Sequence, residues 1–261
     1  MATYNGPTVD VDVFLQTRPI ATQNFRYPMV IIPHNLTSGV VDSFATLNGV
    51  TGAGAAVNSP LYMFTSGLKG GIAAPDLVKI ARANIDSIVI TVDSVPAIGE
   101  DITINANVNG VAKAISFEIA VADDKDAAAT GLEVALSAEY SGGDNPTFVA
   151  SAGVITATIG ATTVPTSFGW STLDASGVPH VTIEDTTSDV LADVISNAAT
   201  VDSDFSFVLA EGHTSSDQVA LATYANANSK QYYTSTQEAG VKDNTSMANV
   251  ALTLGAAGQG E

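Results

Sequence analysis

The stretch FSFVLAEGHTSSDQVALATYANANSKQYYTST, residues 205–236, decides the fold. A short apolar run at 205–210 leads to Thr214, with Asp217 three residues on, the spacing of a helix-opening cap. A helical run follows, and QYYTS (231–235) returns to aromatic and hydroxyl-bearing residues that favour strands. Strand, helix, strand in that order argues for parallel pairing with a right-handed crossover. The corner between the first strand and the helix carries Glu211 and His213. Open α/β sheets place ligands at such corners. A base there needs a nucleophile, however, and Ser215 and Ser216 lie in the helix cap, not in a G-x-S-x-G elbow. The corner is therefore read as scaffold.

Working outward, VPHVTIED (178–185) is expected to be the preceding core strand. TTSDVLADVISNAA (186–199) is expected to be a helix capped from Thr186 to Asp189, with Leu191, Val194, Ile195 and Ala198 on one stripe. Near the start of the chain, YPMVII (27–32) and DLVKIARA (76–83) read as strands. GVVDSFATLNG (39–49) reads as a helix, with Val40, Phe44 and Leu47 on one face, and SPLYMFTSGLKGG (59–71) as a second helix with Pro60 in its first turn. Between them GVTGAGAAVNSP has GxG spacing but no Lys-Ser/Thr pair, which favours a helix-to-helix loop over a phosphate loop.

At about residue 86 the periodicity changes. Three strand-like runs follow, two of them joined by an Asn-Gly turn in NVNGVA (107–112). DDKDAAATGLEVALSAEY (123–140) reads as a helix whose first turn is crowded with Asp123, Asp124 and Asp126, where carboxylates stabilise the helix end. TFVASAGVITATI (147–159) is a second hairpin turning at Ala152-Gly153. This gives an α/β (α+β) core with a mixed sheet, interrupted by an inserted small β-rich domain that contains one helix. The expected boundaries are 1–86 for an N-terminal arm and the first part of the core, 87–177 for the insertion, and 178–261 for the rest of the core.

Composition narrows the function. With 46% hydrophobic residues the chain has material for a real core, while only 14% are charged, so much of the surface is neutral or small, as suits repeated subunit contacts. The formal net charge is −18. Residues 1–90 hold five basic and five acidic side chains; the rest of the chain holds four lysines and 22 acids. Phosphates would be repelled by such a surface, so direct nucleic-acid binding is not expected. Cysteine is absent, which removes disulfides and thiol chemistry. No apolar run reaches the ~20 residues of a membrane span and no signal-peptide pattern opens the chain, so membrane insertion is not expected either.

Of the three histidines, His34 and His180 sit next to prolines and read as turn or strand-start residues. His213 is the one catalytic candidate weighed, and no catalytic, cofactor or metal residue is assigned. Asp123, Asp124 and Asp126 lack the alternating D-x-[DN]-x-[DN]-G order of a calcium loop. Asp202 and Asp204 in VDSDFS read as a solvated turn. VDVDVFL (9–15) alternates at period two, the pattern of a strand free to join its own sheet or another molecule's, and Val9, Val11 and Val13 are the candidate assembly residues.

Taken together, VDVDVFLQTRPIATQNFRYPMVIIP, VNSPLYMFTSGLKGGIAAPDLVKIARA, the segment EDITINANVNGVAKAISFEIAVADDKDAAATGLEVALSAEY and SDVLADVISNAATVDSDFSFVLAEGHTSSDQVALATYANANSKQYYTSTQ resemble the contractile tail sheath proteins of bacteriophages, in the lineage with an inserted β-rich domain. The resemblance lies in segment order and hydrophobicity over nearly the whole chain. It implies a non-enzymatic virion protein without cofactors, assembled in the host cytoplasm into a helical homopolymer around the tail tube, with tail tube, baseplate and tail terminator proteins as partners. Sheath proteins continue further past the last strand, so the C-terminal region is expected to be truncated. The alternatives are a sheath-like cap or baseplate-proximal ring protein, or an α/β hydrolase or binding protein using Glu211 and His213.

Overall fold

The computed structural model describes residues 27–70, 74–121, 123–160, 164–174, 176–210 and 214–233. Within them the fold combines one mixed sheet flanked by helices with two antiparallel sheets, an α+β architecture with a mixed sheet.

The central strand is β1 (Pro28–Pro33), all six of whose residues are buried. Alternation sends Met29 and Ile31 to one face and Val30 and Ile32 to the other. A strand that is apolar on both faces needs cover on both. On one side lie α4 (Leu191–Val201) and α5 (Ser215–Ala227); on the other, α1 (Leu47–Gly52) and α2 (Pro60–Lys69). β1 pairs in parallel with β3 (Val78–Ala83) and with β11 (Phe207–Ala210), and β11 with β12 (Gln231–Tyr232). An antiparallel edge, β2 (Val41–Phe44), completes the order β12-β11-β1-β3-β2.

The second half is built from β4 (Ser87–Val92), β5 (Asp101–Val108), β6 (Val111–Glu118), α3 (Lys125–Glu139), β7 (Thr147–Ser151), β8 (Val154–Thr158), β9 (Thr166–Trp170) and β10 (Val181–Thr186). One sheet runs β10-β4-β8-β7, the other β6-β5-β9, and both are antiparallel throughout. Between them lies a separate apolar core that includes Ile90, Ile104, Leu132, Leu136, Ile155 and Phe168. Two tight hairpins fix the registers. Asn109-Gly110 has φ values of 53 and 77°, and Ala152-Gly153 has 51 and 75°, the left-handed pairs that a two-residue hairpin turn demands. Helix α3 can lie close to β6 because Gly131 has no side chain: a Cβ there would stand 2.1 Å from the Phe117 ring.

Three expectations are corrected, and one strand is added. Residues 41–44 form strand β2 rather than part of a helix through 39–49; β-branched Val41 pairs across to Ala81, and the helix begins only after Thr46 caps it. The strand at 181–186 does not join the parallel sheet but pairs antiparallel with β4, each of its residues facing one of Ser87–Val92. Strand β9 is absent from the sequence reading, since its run TSFGW is short and broken by a glycine. Helix α4 starts at Leu191 without a side-chain cap, because Asp189 turns away to accept from the backbone N–H and the side-chain amide of Asn84 at 2.7 and 3.0 Å.

Candidate functional site

A cleft of about 390 Å³ opens at the C-terminal ends of β1 and β3. Its walls come from the loop that leaves β1, from the end of β3, and from Ile85 and Pro165 of the antiparallel half. Parallel pairing aligns Ile32 with Arg82, and the ladder continues one step through the His34 N–H to Ala83 O. Arg82 lies two residues beyond Ile80 and His34 two beyond Ile32, so alternation carries both toward the face that β1 and β3 share with α1 and α2.

His34 is 3% exposed, and neither ring nitrogen has a hydrogen-bond partner. Asp42 Oδ2 stands 3.8 Å from Nε2, too long for a hydrogen bond, and the same oxygen accepts a hydrogen bond from the Thr37 hydroxyl. Burial, with the Arg82 charge added, pushes the imidazole pKa down to about 4, so His34 is neutral near pH 7. Arg82 Nη1 donates to Thr37 O at 2.7 Å. A neutral imidazole beside a guanidinium can offer hydrogen bonds to an anionic group. Among the described residues no cluster of three or more His, Asp or Glu side chains could hold a metal ion.

The second set of candidate surfaces is made of sheet edges. Among the described residues no strand pairs outside β12 or β2 in the mixed sheet, nor outside β6 or β7 in the antiparallel ones. Outer strands of this kind are where further strands can be added to a sheet.

Val9, Val11 and Val13 lie outside the described residues, as do Glu211 and His213. Thr214 and Asp217 form the expected capping box of α5, the Thr214 N–H donating to Asp217 Oδ2 at 3.0 Å and the Asp217 N–H to Thr214 Oγ1 at 3.2 Å. Asp124 caps α3 by accepting from the N–H groups of Asp126 and Ala127. His180 sits just before β10 with Nδ1 2.8 Å from Ser94 Oγ. His34, by contrast, leaves a strand rather than starting one. Asp202 and Asp204 are more than a solvated turn: Lys79, only 5% exposed, places its ammonium 2.7 Å from an Asp202 carboxylate oxygen and 2.5 Å from Asp204 O. The sequence signal for that cluster is the lone lysine inside the apolar run of β3. The His34–Arg82 pair has no local signal, since the two residues are brought together only by parallel pairing.

No helix among the described residues is long and apolar enough to cross a membrane. No family model matches the chain, and no curated protein matches it.

Proposed function

We propose that this chain is the structural subunit of a contractile phage tail sheath, polymerising helically around a tail tube in the virion and contracting to drive that tube through the host envelope. The observation that supports this reading is the division of labour in the fold. A mixed sheet is interrupted, between β3 and α4, by antiparallel sheets that carry their own apolar core. In this reading the α/β half makes the polymer, strands from neighbouring copies extend its edges, and the antiparallel half stands on the outer surface as an inserted domain. The low fraction of charged residues agrees with extensive burial between copies. Terminal strands of the kind at Val9, Val11 and Val13 would supply the links by strand addition, and partners at the two ends of the tube would be baseplate and terminator proteins.

Electron microscopy of the purified chain at high concentration tests the proposal. Tubes of uniform width or stacked rings are expected. Dispersed monomers under salt conditions that favour assembly would overturn it.

A further inference from the structure

We propose that the cleft at the C-terminal ends of β1 and β3 binds a carboxylate carried on a short apolar stem, its oxygens held by the Arg82 guanidinium and the His34 imidazole N–H. The inference does not depend on the assembly proposal.

The positive charge is the first argument. In a chain of net charge −18, the other described cations are engaged or on the surface. Lys79 is held by Asp202, Lys113 by Glu139, Lys69 by the carbonyls of Pro75 and Asp76, and Lys230 by those of Ser203 and Phe205. Lys125 is on the surface. Arg82 has no carboxylate at ion-pair distance among the described residues, though it also borders a neighbouring cleft that holds Asp189 and Asp193, and one backbone carbonyl takes one of its five N–H donors. A guanidinium fork matches a carboxylate in plane and spacing.

The second argument is independent of the first. His34 is almost wholly buried with both ring nitrogens unpartnered. Buried polar groups are nearly always hydrogen-bonded, and one left without a partner in the protein points to something bound. Its neutral ring has one N–H to give. The cleft sits where parallel strands of open α/β sheets present ligands.

The surroundings set the ligand's class. Leu36, Ile85 and Pro165 give an apolar wall, and about 390 Å³ is at the small end of ligand sites. That suits a short stem, not a nucleotide. Asp42 lies beside His34, and Asp189 is bound to Asn84 on the cleft's rim. These two negative groups disfavour a dianion such as phosphate more than a monoanion. The carboxylate has two possible sources, a free short-chain acid or a Glu side chain of a second copy of this chain.

Butyrate is the probe, followed by NMR at the His34 ring nitrogens and the Arg82 Nε–H of the labelled full chain, with butanol and sodium chloride as controls. Saturable shifts at both residues are expected from butyrate alone. Arg82→Gln should weaken binding at least about tenfold, and Arg82→Lys, which keeps the charge and loses the fork, by an intermediate factor. Sedimentation velocity separates the sources. Self-association that butyrate reverses assigns the carboxylate to a second copy, and sedimentation that butyrate leaves unchanged assigns it to a free acid. The proposal is overturned if butyrate gives no saturable shift in the wild-type chain, if butanol gives the same one, or if Arg82→Gln binds as well.

Discussion

His34 carries a cost that depends on pH. Its folded pKa of about 4 lies below the ordinary 6.5 because burial and Arg82 oppose the charged form. A group depressed in this way binds its proton more readily when unfolded. Its full contribution to stability therefore holds above pH 6.5 and drains away as pH falls toward 4. Between pH 7 and 4.5 the loss from this residue should be about 2–3 kcal/mol. Asp202 titrates in a lower window: partial burial raises its carboxyl, but the Lys79 hydrogen bond and the Asp204 N–H outweigh that and hold it below the usual range, so its share is lost only as pH falls below about 4. Urea unfolding of the wild type and of His34→Gln at pH 7 and 4.5 separates the two. The variant should show a pH-dependent loss smaller by about 2 kcal/mol; an equal loss in both proteins would mean that His34 is not the group responsible.

Elements with local signals were legible in the sequence, and those set by distant partners were not. The hairpin turns at Asn109-Gly110 and Ala152-Gly153, Pro60 in the first turn of α2, the cap at Thr214 and the apolar stripe of α4 each depend on residues a few positions apart, and each stands where the pattern put it. The strand at 181–186 shows the opposite case. Its pattern is that of any half-buried strand, and the choice of β4 over the parallel sheet is made by a partner about ninety residues earlier. Residues 41–44 mislead for a related reason: Val40, Phe44 and Leu47 fit a helical stripe, yet pairing with β3 outweighs that local preference. The candidate cleft was not legible: the sequence pointed to the corner after the strand at 205–210, and His34 and Arg82 are joined by register alone. For α3 the cap is local and its cost can be stated. Asp124→Ala removes the acceptor for two N–H groups and should destabilise the protein by about 1 kcal/mol, read as a lower thermal midpoint. An unchanged midpoint would show that the helix start is held by packing against β6 and β7 instead.

The two halves of the molecule meet through polar contacts rather than through a shared apolar core. Asn35 bonds to both sides of residue 165, its amide donating to Val164 O at 2.7 Å while its carbonyl accepts from the Thr166 N–H at 2.9 Å. The Ala56 N–H donates to Ser167 Oγ and the Asn58 side chain to Trp170 O, so the loop after α1 lies along β9. Gly169 makes this possible, because a Cβ there would fall 2.0 Å from Val57 O. Interfaces of this polar kind hold orientation more than they supply stability. Gly169→Val should force the loop off β9 and uncouple the halves. Calorimetry should show one unfolding transition in the wild type and two in the variant; a single transition in both would place the coupling elsewhere.

The chain leaves the α/β half after β3 and comes back to it before α4 through two strands of backbone that touch. The Asp86 N–H reaches Thr186 O at 2.9 Å, and Asp189 ties itself to Asn84. The ends of the intervening hundred or so residues are thus as close as the ends of a hairpin. From the standpoint of the mixed sheet that segment enters and leaves through one narrow doorway, with the polar contacts along β9 as further moorings. Another module whose own termini lie side by side could be spliced there, to display a foreign surface without redrawing the sheet beneath.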